Sequence, residues 1–272
     1  MALLVIGLGG ALVLALVGWG RLDTTPGTSD GSAVAAPRAA PSSFVLMQMN
    51  VCLSGMSGCY DTVAYPAGVR DVVARIRQAR PDAVTLNEAC RVDAAAIARR
   101  TGYHLRFVSV IYDRELLPCV DPGGRGLFGN AVLTRAAVRS SETEVFEGQF
   151  GPEERRWLCV TTSEDQDVCT AHLEIRSRGF AAANDDQCVE LGALLARRAA
   201  VRSVVFGGDV NRGSSCAPGG FWTRTDRSAG QRAGVQHVYG SRSTLSSPRA
   251  QVLAAPHSDH DVLYVRARPG GR

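Results

Sequence analysis

Apolar and polar positions alternate from Phe44 to Met49, and β-formers dominate there, so a strand opens the globular part of the chain. Val69, Val72, Val73 and Ile76 then recur at helical spacing until Arg80, Pro81 and Asp82 end the helix. A second strand, Ala83 to Leu86, follows directly. A third, Tyr103 to Ile111, comes after an alanine-rich helical stretch at Asp93 to Arg100. This strand, helix, strand order makes the first half α/β. Further on, Asn130 to Leu133, Trp157 to Thr161 and Val168 to His172 read as strands joined by short polar turns, which suits antiparallel pairing. Asp185 to Ala199 reads as a helix with Leu191, Leu194 and Leu195 on one face, and Val204 to Phe206, Val235 to Gly240 and Asp261 to Val265 read as the last strands. The expected fold class is α/β (α+β): a four-layer sandwich of two packed mixed sheets flanked by helices, over residues 44–272.

The pattern is different before residue 44. Ala2 to Gly18 carries no charge and ends at Trp19, Gly20 and Arg21, the form of an export or membrane segment. A Gly-, Ser-, Ala- and Pro-rich stretch follows from Thr24 to Ser43, and Ala33, Val34, Ala35 has the small-x-small form that a signal peptidase accepts. No basic residue precedes the apolar run, so a cleaved leader and an uncleaved membrane anchor both stay open. Either one puts the domain outside the cytoplasm, secreted or anchored.

Composition narrows this further. With 272 residues, 45% hydrophobic and 21% charged, the chain can bury a full core, which excludes a disordered or fibrous protein. The net charge of +4 is mild, and every basic residue is arginine. Eight cysteines stand at 52, 59, 90, 119, 159, 169, 188 and 216 with no CxxC pair of the zinc-binding kind, so disulfides in an oxidising compartment are expected. Cys159 and Cys169 flank the turn at Ser163 to Gln166, where a hairpin would bring them together, and Cys52 and Cys59 could close a short loop. Sequence cannot choose among the many pairings; pairing in order adds Cys90 with Cys119 and Cys188 with Cys216.

Five short pieces place polar or acidic residues where an apolar strand runs out: Met49-Asn50-Val51, Leu86-Asn87-Glu88, Thr170 to Leu173, Gly207 to Asn211, and Pro256 to Asp261. Carboxylates beyond strand ends are more readily held as ligands than as core residues, because an unpaired buried charge is costly. In this order the pieces resemble the motifs of the endonuclease/exonuclease/phosphatase superfamily, the deoxyribonuclease I-like fold, in a secreted bacterial form. Asn50 matches its strand-closing asparagine, Asn87-Glu88 its metal-binding glutamate, and Gly129 to Leu133 a middle motif. Gly208-Asp209-Val210-Asn211 matches its GDxN, and Ser258 to Val262 its SDHxP/V. The likeness runs from about residue 44 to 266.

That resemblance implies a Mg²⁺- or Mn²⁺-dependent hydrolase of phosphate esters, with Glu88 as principal metal ligand and Asn50 and Asp259 near the same ion. It implies Asp209 and His260 as the pair handling the attacking water, and Asn211 and His172 as donors to phosphoryl oxygens. Gln236 stands where the family commonly has an aspartate that holds the catalytic histidine, so it is the expected partner of His260. Asn130, Arg125, Trp222 and Arg224 are the expected substrate-binding residues, the last two in a Gly-, Ser- and Arg-rich stretch able to grip phosphate and stack on a base. DNA or RNA is the favoured phosphodiester substrate, with sphingomyelin-like phospholipid or inositol phosphate as alternatives, and a catalytically weakened binding protein as a reading of another class. A monomer is expected, with membrane contact only through an uncleaved N-terminal segment.

Overall fold

The computed structural model describes residues 43–55, 65–227 and 232–270. In chain order the elements are β1 (Phe44–Asn50), α1 (Ala67–Ala79), β2 (Ala83–Cys90), α2 (Arg91–Thr101), β3 (His104–Ser109), β4 (Ile111–Tyr112), β5 (Glu115–Leu116), β6 (Phe128–Thr134), β7 (Val138–Val145) and β8 (Glu153–Glu154). They continue with β9 (Arg156–Thr162), β10 (Gln166–Ala171), α3 (Ala181–Ala199), β11 (Ser203–Asp209), β12 (Phe221–Thr225), β13 (Gln236–Ser241), β14 (Leu245–Leu253) and β15 (Val262–Pro269). One six-stranded sheet runs β14-β15-β1-β2-β6-β3, a second runs β12-β13-β11-β10-β9-β7, and β5-β4-β8 form a small third.

Three apolar clusters stack these layers into the expected sandwich. Val69, Val72, Val73 and Ile76 of α1, with Ala94, Ile97 and Ala98 of α2, bury against Met47, Met49, Val84, Leu86 and Leu133 of the first sheet. Leu191, Leu194 and Leu195 of α3 bury against Phe206, Cys169 and Tyr239 of the second. Between the sheets lie Leu46, Val132 and Val265 from one side and Val160, Val168, Val205 and Trp222 from the other. The sheets approach closely at Gly207, where an added Cβ would lie 2.3 Å from Thr85 Oγ1 and 2.9 Å from Leu46 Cδ2. Glycine there is a packing requirement.

Three disulfides match the pairing in order: Cys90–Cys119, Cys159–Cys169 and Cys188–Cys216. Cys159 and Cys169 face each other in the β9–β10 hairpin. The remaining expected pair involves Cys59, which lies outside the described residues, as do the expected leader or anchor and nearly all of the expected linker. These bridges fit an oxidising, extracellular environment, and no helix among the described residues is long and apolar enough to cross a membrane.

Candidate active site

The site forms where the two sheets offer the ends of their central strands side by side. β1 and β2 are parallel, with Asn50 opposite Asn87, and a register shift between Leu86 and Ala89 bulges β2 against β6. Glu88 sits in that bulge at φ 55°, a left-handed conformation that a glutamate adopts only when its surroundings enforce it. In the second sheet His172 bridges Asp209 in parallel, and Asp209 stands opposite Gln236. Asn211, also left-handed at φ 50°, follows β11, and Ser258, Asp259 and His260 arrive on the loop before β15.

Asn50 is the hub. Its Nδ2 donates to Glu88 Oε1 at 2.8 Å and to Asp209 Oδ2 at 3.1 Å, its Oδ1 accepts from Cys52 N, and its backbone carbonyl accepts from Ser258 Oγ at 2.7 Å. Asp209 Oδ1 accepts from Asn211 N at 3.0 Å, while its Oδ2 lies 3.5 Å from His260 Nε2 and 3.9 Å from His172 Nε2. Burial pushes the Asp209 carboxyl up, but the neighbouring His260 and His172 imidazoles, the Asn50 amide and the Asn211 N–H together hold it below the usual carboxylate range. Burial raises Glu88 to about 7 against the Asn50 amide. His172 is lowered to about 3, first by burial and then by the charge of Arg155, so its ring is neutral. Asn211 Nδ2 reaches both His172 Nε2 at 3.0 Å and Leu173 O at 2.9 Å.

Two of the sequence-expected metal ligands expose unused oxygens: Glu88 Oε2 and Asp259 Oδ1 are buried with no hydrogen-bond partner. A divalent ion held through one or two carboxylates and its own waters fits such a pair. Among the described residues no three His, Cys, Asp or Glu side chains stand together as a ready cage, and Asp259 Oδ2 is 2.8 Å from Arg232 Nε.

Thus the structure brings Asn50, Glu88, His172, Asp209, Asn211, Asp259 and His260 together. The other expected site residues go elsewhere, each for a visible reason. Gln236 does not touch His260: its Oε1 accepts from Asn50 N at 2.8 Å and from Gln48 Nε2 at 3.3 Å, and its Nε2 donates to Asp261 O at 2.6 Å and Asp226 Oδ2 at 3.2 Å. It braces the strand ends, and His260 Nδ1 is left buried without a partner. Trp222 is 2% exposed in the inter-sheet core, its indole donating to Leu245 O. Arg224 donates to Pro248 O and Thr223 O. Arg125 is buried against Asp93 at 2.8 Å and donates to Asp121 O and Pro122 O. Asn130 Oδ1 accepts from Asn87 Nδ2 at 2.9 Å and so supports the site from beneath.

Sequence reading missed the buried Arg155, which stands 2.7 Å from Glu153 and 3.3 Å from Glu174 and lends its charge to the His172 surroundings. It also missed Asp226, which accepts from Gly234 N at 2.6 Å. Both lie in charged or loop-like sequence where nothing distinguishes a buried ion from a solvated one. Gln48 was detectable in principle, as a polar residue inside the strand FVLMQMN.

Acidic, amide and imidazole groups thus gather at the strand ends, where Glu88 Oε2 and Asp259 Oδ1 have no hydrogen-bond partner. The family follows from the sequence match: residues 47–260 fit the endonuclease/exonuclease/phosphatase family, and the chain belongs to it. No curated protein matches the chain. Among solved structures, the human Nocturnin catalytic domain with bound sulfate anion is similar at TM-score 0.62 and 17% identity, covering 84% of this chain and 94% of that one. An endonuclease/exonuclease/phosphatase from Beutenbergia cavernae is similar at 0.61 and 20%, covering 85% and 72%. D. rerio TDP2 complexed with single strand DNA product is similar at 0.58 and 15%, covering 84% and 100%.

Proposed function

We propose that the chain is an exported, divalent-metal-dependent phosphodiesterase with nucleic acid as its preferred substrate. The observation that carries this reading is that Asn50 joins Glu88 Oε1 to Asp209 Oδ2, with His260 beside Asp209, while Glu88 Oε2 and Asp259 Oδ1 are left without hydrogen-bond partners. Mg²⁺ or Mn²⁺, when bound by Glu88 and Asp259 with Asn50 alongside, would polarise a phosphoryl oxygen and steady the leaving group. Asp209, kept ionised, orients the attacking water and is positioned to take its proton, with His260 beside it. Neutral His172 holds the Asn211 amide, which serves a phosphoryl oxygen by exchanging that contact. The TDP2 neighbour in complex with a DNA product supports nucleic acid ahead of phospholipid and inositol phosphate.

One observation favours the weakened binding protein instead: no carboxylate stands at position 236, and His260 Nδ1 lacks a partner. Assay of plasmid DNA, RNA, sphingomyelin and inositol phosphates, each with and without chelator, separates the readings. Turnover abolished by EDTA supports the enzyme. Turnover unaffected by EDTA removes the metal, and retention of DNA with no turnover of any substrate supports the binder.

A further inference from the structure

Among the described residues, the exposed Phe, Tyr and Trp side chains are Tyr65, Tyr112 and Phe150. One face of Tyr65 is covered by the Arg125 guanidinium, 4.6 Å from the ring centroid. Tyr112 and Phe150 stand on neighbouring segments. The β4–β5 hairpin leaves the first sheet at its catalytic end, where Val110 N donates to Phe128 O and Phe128 lies opposite Cys90, just past Glu88. Tyr112 pairs with Glu153 of β8, and Asp113 N donates to Pro152 O at 2.8 Å, so the hairpin lies against the segment that follows Phe150. The Phe150 ring in turn meets that of Phe180, which precedes α3, with centroids 5.1 Å apart. Exposed arginines flank these rings along the chain, Arg114 in the hairpin turn and Arg178 shortly before Phe180, and neither is within ion-pair distance of a carboxylate among the described residues.

A single exposed phenylalanine is ordinary on a surface. Here the loop that carries it is tied down: Glu147 N and Gly148 N both donate to the Glu190 carboxylate at 2.8 Å, Gly148 O accepts from Gln187 Nε2, and the Gln149 amide bonds Phe146 O, Arg155 O and Arg155 N. The ring therefore stays at the surface with an apolar face open to a partner. The same segments adjoin the catalytic residues. Arg155 joins Glu153 to Glu174, which follows closely on His172, and Asn184 Nδ2 in the first turns of α3 donates to Glu174 O and Val210 O, beside His172 and Asn211. We propose that Phe150, buttressed by Phe180, and Tyr112 form a stacking platform for unpaired nucleobases, so that the strand brought to the site is single-stranded DNA or RNA. Flat rings serve any base, and guanidiniums beside them serve the phosphates between bases. A bilayer would have to take in the exposed Asp113 and Glu115 of the same hairpin together with Tyr112, a desolvation that one phenol does not offset. The inference rests on the phosphodiesterase reading for the fate of the bound strand, and on the rings alone for its binding.

The test is fluorescence anisotropy of the full-length chain, in EDTA so that nothing is cleaved, with a labelled oligothymidylate of about ten nucleotides, its duplex, and an abasic oligomer of the same length that keeps the phosphates and lacks the bases. The oligothymidylate should bind about tenfold or more tightly than either of the others. F150A and Y112A should each weaken its binding by about fivefold or more, F150W and Y112F should retain it, and the abasic oligomer should bind all of these variants alike. Both side chains are largely exposed, at 55% and 44%, and an unchanged melting temperature checks the fold. Binding of the oligothymidylate by F150A/Y112A at wild-type strength overturns the proposal, as does equal binding of the oligothymidylate and the abasic oligomer. Loss of binding to sphingomyelin vesicles in F150A/Y112A, with oligothymidylate binding unchanged, also overturns it and makes the rings a lipid contact. Hydrolysis of the oligothymidylate with Mg²⁺ is scored separately. The expected binding without hydrolysis removes the phosphodiesterase reading and leaves the platform, whereas hydrolysis with binding indifferent to Phe150 and Tyr112 removes the platform alone.

Discussion

The interface between the two sheets changes character along its length. Toward the start of β1 it is apolar, with Leu46 and Val265 meeting Val160, Val168, Val205 and Trp222. Toward the catalytic end it is a polar seam of Gln48, Thr85, Asn87, Asn130, Thr170 and Gln236, all buried. There Asn87 Oδ1 accepts from Gln48 Nε2 and Asp209 N, both at 2.8 Å, while its Nδ2 donates to Asn130 Oδ1 and Ala171 O. Thr85 Oγ1 donates to Gln48 Oε1 at 2.6 Å. Apolar contacts tolerate sliding and repacking, whereas a buried amide with its partners satisfied accepts one relative position only. One half of the interface supplies adhesion, and the other fixes where Asn50 and Asp209 stand relative to each other.

Substitutions can separate these roles. The largest effect is expected at the reacting end itself. Glu88→Gln should lower turnover by about a hundredfold to ten-thousandfold with no loss of melting temperature, because a neutral amide replaces a carboxylate whose burial is costly. A rate within tenfold of wild type would remove Glu88 from the metal site. Next is the seam. Asn87→Leu leaves Asp209 N and Asn130 Oδ1 without their partner and removes one of the two acceptors of Gln48 Nε2, at about 3 kcal/mol, and should lower kcat in the molecules that remain folded. Val205→Ala at the apolar end should cost about 2 kcal/mol in urea titration and leave kcat per folded molecule unchanged. Equal effects on kcat would show that the two halves of the interface do not differ in role.

The pH dependence of stability gives a similar but smaller effect. Burial lowers His237 to about 4, its ring held between Tyr239 OH and Gly234 O. The unfolded chain therefore takes the proton first, so stability is full above about 6.5 and declines as pH falls toward 4. Between pH 7 and 5 this one residue accounts for about 2 kcal/mol. His237→Phe should shrink the acid decline by that amount, while His172, lowered to about 3, retains a slope in the same window. An unchanged decline would mean that His237 is protonated in the fold. The smallest effect is expected at Arg224→Gln, where KM for any nucleic-acid substrate should stay within about twofold, since the guanidinium is occupied by backbone carbonyls. A tenfold rise in KM would restore it as a substrate residue.

What the sequence revealed follows the burial pattern. Central strands such as β1, β2 and β11 carry buried apolar runs and were legible, as were α1 and α3 through their valines and leucines. β7, β12 and β14 were not. Each is an edge strand, and β7, with the sequence VRSSETEV, exposes nearly every residue, so no face carries an apolar signal. The candidate site residues were picked out because they close apolar strands in a fixed order, and Asn50, Glu88, Asp209 and His260 are neighbours in the fold. Trp222 and Arg224 were misread because the glycines, serines and arginines around β12 resemble a loop, while its register with β13 turns the indole inward. Gln236 was expected to hold His260 from its place in the strand Val235 to Gly240, but a strand position does not reveal which way a long amide turns, and its side chain goes to Asn50, Gln48, Asp226 and Asp261.

The three disulfides described above have a consequence for biogenesis. Cys90–Cys119 lies wholly within the half built on the first sheet, and Cys159–Cys169 and Cys188–Cys216 lie wholly within the half built on the second. None of these three ties the halves to each other. An oxidant can therefore lock each half while the chain is still being assembled, and the joining step remains reversible and free of covalent commitment. A mismatched pairing of halves can separate and try again, and hydrolytic activity becomes a readout of correct assembly that counting closed disulfides cannot supply.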